Sequence, residues 1–219
     1  MTEIDLMRYY PKSERASLLS DRVVVSEADR AVARSFGREY FDGPRHLGLG
    51  GYNYDRRFFA PVVADMVDYY GLIGKCSVLD VGCAKGFMIK DFKDALPAAV
   101  LRGVDISAYC LLNSLPEVAS LLSLGSCAEL PFESKSFDLV VSIATIHNLD
   151  LAGVKESLRE IMRVSRRDAY IKVNGYRTEE ERRALEEWNL VARTILHVDE
   201  WREVFAEVGY DGDYSFFVP

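Results

Sequence analysis

The stretch Val78-Leu79-Asp80-Val81-Gly82-Cys83-Ala84-Lys85-Gly86 decides the fold. A short apolar run that ends abruptly at glycine has the form of a parallel strand covered on both faces. Gly82 and Gly86 admit backbone angles that other residues rarely adopt and would let a ligand approach the chain, while Ala84 keeps the middle of the turn small. A dinucleotide turn of the form G-x-G-x-x-G would need glycines at 82, 84 and 87, yet Ala84 and Phe87 stand at two of these positions. That spacing argues against a pyrophosphate site and so against a nicotinamide-dependent oxidoreductase. Asp80, just before the turn, would repel phosphate and welcome a cation.

Outward from this turn, strand and helix alternate. The apolar periodicity predicts helices over 87–96, 107–114, 151–164, 178–195 and 199–208, and strands over 100–106, 120–124, 137–143, 169–173 and 214–218. Strands joined through helices imply crossover connections, a mostly parallel sheet and an α/β doubly wound fold. Ligands then sit beyond the carboxyl ends of the strands. Upstream, helices are expected over 26–40, opened by a capping box of Ser26 and Asp29, and over 55–70. The glycine-rich stretch 42–53 between them reads as a loop. The chain thus divides into a helical cap with a lid loop over 1–74 and a ligand-binding catalytic domain over 75–219. With one strand after the last helix the sheet would have six strands, and its exposed edge would favour a homodimer.

Composition excludes several classes. The 219 residues are 49% hydrophobic and 28% charged, as in an ordinary folded domain. The net charge of −7 lies wholly beyond Lys75, which argues against a nucleic-acid partner. No apolar stretch approaches the roughly 20 residues of a membrane span, and the start Met1-Thr2-Glu3-Ile4-Asp5 lacks a signal-peptide pattern, so a cytoplasmic protein without a membrane partner is expected. Cys76, Cys83, Cys110 and Cys127 show no close pairing, so neither a metal site nor a disulfide framework is expected.

The sequence V-L-D-V-G-C-A-K-G resembles the first motif of class I S-adenosylmethionine-dependent methyltransferases, D/E-x-G-x-G-x-G, with alanine for the middle glycine. Val104-Asp105-Ile106-Ser107 resembles the end of that family's second strand, and Asp105 follows Gly82 by 23 residues. Cys127-Ala128-Glu129-Leu130-Pro131-Phe132 and Ser136-Phe137-Asp138-Leu139-Val140 are similar to the family's A-x-E-L-P-F…S-F-D-x-V stretch. The resemblance implies a Rossmann-like fold and S-adenosylmethionine as cofactor. It implies that Gly82, Cys83, Ala84 and Gly86 let the backbone approach the methionine part, with Asp80 beside its ammonium or an ordered water. Asp105 would accept from the ribose hydroxyls, Ile106 would cover one adenine face, and Cys127 and Ala128 would offer backbone groups to the adenine edge. Many members carry an aspartate near position 126; here Ser126 or a neighbouring carbonyl takes that place. Asp138 reads as structural.

A sulfonium methyl is already a strong electrophile, so such an enzyme aligns the attack and, where needed, removes a proton. The candidate base is His147, in Ile143-Ala144-Thr145-Ile146-His147-Asn148, the loop that faces the methyl group in the family. Its alternative role is to cap the next helix or orient Asn148. The loop 47–57 would close over the cofactor as a lid, with Tyr52, Tyr54 and Arg57 touching cofactor or substrate, or with Asn53 and Asp55 merely capping the following helix. Tyr176 and Arg177 occupy another rim position. The expected activity is methyl transfer to an oxygen or nitrogen of a small molecule, of sugar or natural-product type. The alternatives are methylation of RNA or protein, and non-catalytic binding of S-adenosylmethionine.

Overall fold

The computed structural model describes residues 1–11 and 25–219. Among the described residues, α1 (Glu27–Ala33), α2 (Arg38–Phe41) and α3 (Arg56–Tyr69) precede the sheet. There follow β1 (Ser77–Val81), α4 (Phe87–Ala95), β2 (Val100–Asp105), α5 (Ala108–Leu112), β3 (Leu122–Leu124) and β4 (Phe137–Ile143). The second half comprises α6 (Leu151–Val164), β5 (Ser165–Tyr176), α7 (Glu179–Trp188), β6 (Leu196–His197), α8 (Val198–Val208) and β7 (Asp213–Phe217).

The strands form one seven-stranded sheet in the order β3-β2-β1-β4-β5-β6, with β7 also paired to β5. All these pairings are parallel. Side chains alternate across it, as the two-residue strand period demands. Leu79, Val81 and Val140 enter one core with α6 and α8. Val78, Leu139 and Val141 enter the other, with α3, α4 and the N-terminal residues Leu6 and Met7. The chain order reverses between β1 and β4, which opens a crevice beyond their carboxyl ends.

Several boundaries depart from the sequence expectation. The sheet has seven strands rather than six, because Leu196–His197 adds a two-residue strand beside Gly175 and Tyr176. The helix predicted over 178–195 stops at Trp188. There Asn189 Oδ1 accepts from the Val191 and Ala192 N–H groups, and the N–H groups of Arg193 and Thr194 turn to the His147 carbonyl. A side-chain amide that satisfies backbone donors competes directly with the helix. The helix predicted from Ser26 keeps its capping box but ends at Ala33, since Phe36 adopts φ of 50°. The last helix is capped by His197 rather than Asp199. β5 extends through the polar Ser165-Arg166-Arg167-Asp168, where Arg166 pairs with Asp138.

The outer edge of β7 is occupied in part by the chain's own start. Ile4 N–H donates to the Tyr214 carbonyl and Tyr214 N–H to that of Thr2. Leu6 is fully buried behind this contact. No helix among the described residues is long and apolar enough to cross a membrane.

Candidate functional site

Parallel strands bring the β1 turn, the end of β2 and the loop after β4 to one end of the sheet. The β1 turn is built from left-handed backbone at Gly82 (φ 86°), Ala84 (47°) and Gly86 (79°). Gly82 and Cys83 donate their N–H groups to the Val104 carbonyl, which locks the turn to β2. A Cβ on Gly82 would fall 1.9 Å from Thr145 Oγ1, so position 82 has no room for a side chain against the β4 loop. Ala84 occupies the left-handed region without being glycine. Its N–H donates at 2.7 Å to Asp105 Oδ2, which helps hold it there.

Asp105 also accepts from Ser107 N–H through Oδ1, at 2.8 Å. Burial raises the Asp105 carboxyl's pKa, against the opposing pull of these backbone donors. Each carboxylate oxygen keeps a further lone pair for a ligand. Ile106, the next residue, is 61% exposed and free to cover a flat ring. Asp80 is buried. Burial, and then the charge of Asp105, push its pKa up to about 8. It lines a cavity of about 70 Å³ together with Tyr52, Phe59, Gly82, Cys83, Met88 and Ile143.

Ser126 Oγ accepts from Ala128 N–H, and Ser126 closes a small antiparallel bridge to Glu129. Its hydroxyl oxygen therefore shapes the turn that presents Cys127 and Ala128. The Cys127 thiol accepts from Ser157 Oγ of α6. Tyr54 is directed elsewhere: its hydroxyl donates at 2.6 Å to Asp91 on α4, and burial followed by that bond raises its pKa. Asp55 caps α3 and pairs with Arg57, which is the capping alternative for that segment. Arg177 N–H is taken by Glu181, and its guanidinium lies 3.8 Å from Glu3. Asp138 binds Ser77 and Arg166 at the opposite end of the sheet.

His147 is 2% exposed. Its Nδ1 accepts from Asn174 N–H at 3.3 Å, and its carbonyl accepts from Arg193 and Thr194. Burial alone lowers its pKa to about 4. An Nδ1 that accepts leaves the proton on Nε2, so the neutral ring has no lone pair to offer a methyl acceptor. The alternative roles are taken by other groups, since Asp150 caps the next helix and the Ala144 carbonyl holds Asn148, while the imidazole ties the β4 loop to Asn174 of β5. A pH dependence of stability follows from the same burial. Between pH about 4 and about 6.5 the unfolded chain binds the imidazole proton and the folded chain does not, so stability falls as pH falls through that window. Urea titrations across it are expected to show a loss of about 3 kcal/mol that His147→Gln removes. An equal loss in the variant would place the effect elsewhere.

One constellation escaped the sequence reading. Lys85, in the β1 turn, is 6% exposed and donates to Asp42 Oδ2 at 2.6 Å and to the Tyr52 carbonyl at 2.7 Å. Tyr109 of α5 donates to the same Asp42 oxygen, and Asp42 Oδ1 accepts from Tyr52 N–H. Against the opposing effect of burial, these donors hold the Asp42 carboxyl below its usual range. Tyr52 stacks on Phe87, with ring centroids 4.6 Å apart. A second tether joins Ser107 Oγ to the Phe36 carbonyl. The lid is thereby latched onto the loops after β1 and β2. In sequence, Asp42 lies 43 residues from Lys85 with no pattern linking them.

Among the described residues no group of three or more His, Cys, Asp or Glu is placed to hold a metal ion. The site does fit an adenosyl sulfonium donor. Position 82 is closed to any side chain, an acidic residue ends β2, and Asp80 lines the cavity.

A family model described as a methyltransferase domain matches residues 79–173. Demethylmenaquinone methyltransferase of Roseiflexus castenholzii is 28% identical over 91 residues, 40% of this chain and 37% of that protein. The chain therefore spans little more than a third of the curated relative it matches. Among solved structures, the YcgJ protein of Bacillus subtilis superposes with a TM-score of 0.55 at 19% identity, over 67% of this chain and 66% of that one. Phosphoethanolamine N-methyltransferase 2 of Haemonchus contortus, solved with S-adenosylhomocysteine, gives 0.60 at 17% identity, over 81% and 44%. At these identities the structural likenesses establish the fold. Residues 79–173 thus match a methyltransferase domain, set in the Rossmann-like sheet of the class I methyltransferase fold.

Proposed function

We propose that the chain binds S-adenosylmethionine and transfers its methyl group to an oxygen or nitrogen of a small molecule, with sugars and natural products as the candidate acceptors. The observation that carries this reading is the convergence of Asp80, the Gly82–Gly86 turn and Asp105 on one crevice. Bound there, the cofactor supplies the electrophilic methyl. The Asp105 carboxylate holds the ribose hydroxyls with charge-assisted bonds, and Ile106 covers the adenine. Asp80 faces the ammonium, either directly or through water. The Cys127–Ala128 segment presents backbone groups to the adenine edge, with Ser126 shaping that turn. The cap excludes water from the reacting atoms, and its latch keeps the methionine end enclosed. His147 holds the β4 loop in register by tying Asn174 and the 193–194 segment to one point. The acidic chain and the small cavity under the cap both favour a small acceptor over RNA.

Calorimetric titration with S-adenosylhomocysteine tests the cofactor assignment. Asp105→Ala is expected to weaken binding about a hundredfold, two charge-assisted bonds being lost. Asp105→Asn, which keeps an acceptor for Ala84 N–H, separates ligand contact from support of the turn. Unchanged affinity in both variants, each with a native circular dichroism spectrum, would remove Asp105 from the site.

A further inference from the structure

The start of the chain runs as a strap from the sheet edge to the cavity. Thr2 and Ile4 share backbone bonds with Tyr214 of β7, and Glu3 pairs with Arg202 of α8 at 2.7 Å. Asp5 accepts at 2.9 Å from Lys172, which stands in register with Ile143 on the neighbouring strand. Leu6 and Met7 are buried in one core with Val63 and Met66 of α3. Arg8 then pairs with Asp65 of α3, and the Tyr10 ring meets those of Phe58 and Phe59 at centroid distances of 5.3 and 5.2 Å. Phe59 and Ile143 both line the cavity. Tyr52 lines it too, and after burial itself Tyr10 is the foremost neighbour that pushes the pKa of the Tyr52 hydroxyl up. The strap therefore ends against the cavity wall.

Its polar hold on α3 is incomplete. Asp65 Oδ1 accepts from Arg8, while Oδ2 is buried with no hydrogen-bond partner among the described residues. The lid is held on α4 in the same way, since Asp91 Oδ1 accepts from Tyr54 and Oδ2 is buried without a partner. Buried polar atoms are almost always satisfied, and a dry carboxylate oxygen carries a desolvation cost. Both closures of one cavity thus end on a half-satisfied carboxylate, and lifting either one lets water reach it. Glu3 and Asp5 are exposed, so their ion pairs add little to the hold. Leu6 and Met7 supply most of it. A segment held by two apolar side chains and a few wet ion pairs opens at a fraction of the cost of unfolding the domain.

We propose that residues 1–10 are a second, movable closure of the cavity, and that Tyr10 is the positioning residue through which this strap acts, setting Phe59 and Tyr52 against the bound ligand. The lid opens the cavity where Tyr52 stands, and the strap opens it where Phe59 stands. A cavity of about 70 Å³ has to widen on both sides before a nucleoside fits. Once the ligand is in place, the strap closes over α3 and slows its escape. The identity of the ligand rests on the methyltransferase reading; the opening of the strap does not.

Amide hydrogen exchange on the full chain tests this, first without ligand. The Ile4 and Tyr214 N–H groups, which join the strap to β7, are expected to exchange about a hundredfold faster than Val140 in the core. Equal rates would show that the strap opens only with the whole fold, and would overturn the proposal. Tyr10→Ala should accelerate exchange across 52–59, whereas Tyr10→Phe, which keeps the ring contacts, should not. Unchanged exchange in Tyr10→Ala would remove Tyr10 as the link. With S-adenosylhomocysteine at ten times its Kd, exchange at Ile4 and Tyr214 should slow by up to about tenfold. Stopped-flow dissociation of the same ligand should be about tenfold faster from Tyr10→Ala than from the wild type, and little changed in Tyr10→Phe. A tether that only anchors the chain would leave both the ligand effect and the dissociation rate untouched. Failure of the wild type to bind S-adenosylhomocysteine is a different result: it removes the cofactor reading, while the ligand-free comparisons still decide whether the strap moves.

Discussion

Asp80→Asn should make the ligand-free protein more stable at neutral pH while weakening its hold on S-adenosylhomocysteine. Burial and the neighbouring Asp105 charge push the Asp80 carboxyl up to about 8, against an ordinary value of 3.8. Between these values the folded chain keeps a proton that the unfolded chain has released. The folded state then binds more protons, so stability falls as pH rises from about 4 to about 8. Asparagine has the shape without the titration, and removes that fall. The ceiling on the gain at pH 7 is about 4 kcal/mol, shared with whatever relaxation the site allows. Urea titrations of both proteins at about pH 5 and about pH 8 read the difference. Equal pH dependence in the two would show that Asp80 is not the strained group. Loss of cofactor binding beside a gain in stability is the pattern of a residue kept for function at a cost to the fold.

Lys85→Met carries the second large effect. It removes the ammonium from a nearly enclosed ion pair and leaves Asp42 with the Tyr109 hydroxyl and Tyr52 N–H as its remaining donors. Breaking one side of a buried pair costs about 3 kcal/mol, less here because Asp42 is partly open to water. The same change frees the Tyr52 carbonyl, so the lid loses two of its bonds to the β1 turn. A cavity of about 70 Å³ is far below the 300 Å³ or so of a typical ligand pocket, and the cap must lift for a nucleoside to enter. Hydrogen exchange over 42–54 should accelerate, and S-adenosylhomocysteine should associate and dissociate faster. Unaltered exchange and association rates would mean that the ion pair does not gate the crevice. Asp42→Asn, which keeps an acceptor for both Lys85 and Tyr109, should fall between the two.

The strands and helices that build the core were legible for a local reason. In 77–81, 137–143 and 151–164 the burial pattern and the element coincide, so apolar spacing alone marks the bounds that the structure shows. Errors came where a polar side chain reached the backbone from outside the local pattern. Asn189 ended a helix that its apolar spacing would have continued, and the His147 carbonyl drew in the next two N–H groups. The extension of β5 rested on an ion pair between Arg166 and Asp138, which no periodicity records.

The site divides in the same way. Gly82, Gly86 and Asp80 stand out in sequence because a strand that ends in a tight turn needs particular residue types at particular spacing, which is a local requirement, and Asp105 stands out through its resemblance to the end of the family's second strand. Tyr54 could not be resolved, since its choice between cofactor and Asp91 depends on how the lid lies over α4. The sequence reads His147 as a base, a helix cap or a support for Asn148, and its buried contact is instead the Asn174 N–H, contributed by a strand 27 residues away. The latch of Lys85, Asp42 and Tyr109 joins segments distant in the chain. Sequence by itself determined the doubly wound fold and the tight turn after β1, because both follow from nearest-neighbour patterning. Tertiary structure decided how the crevice is closed and which polar groups face it, because burial, and hence charge state and hydrogen-bond debt, exists only once distant segments pack.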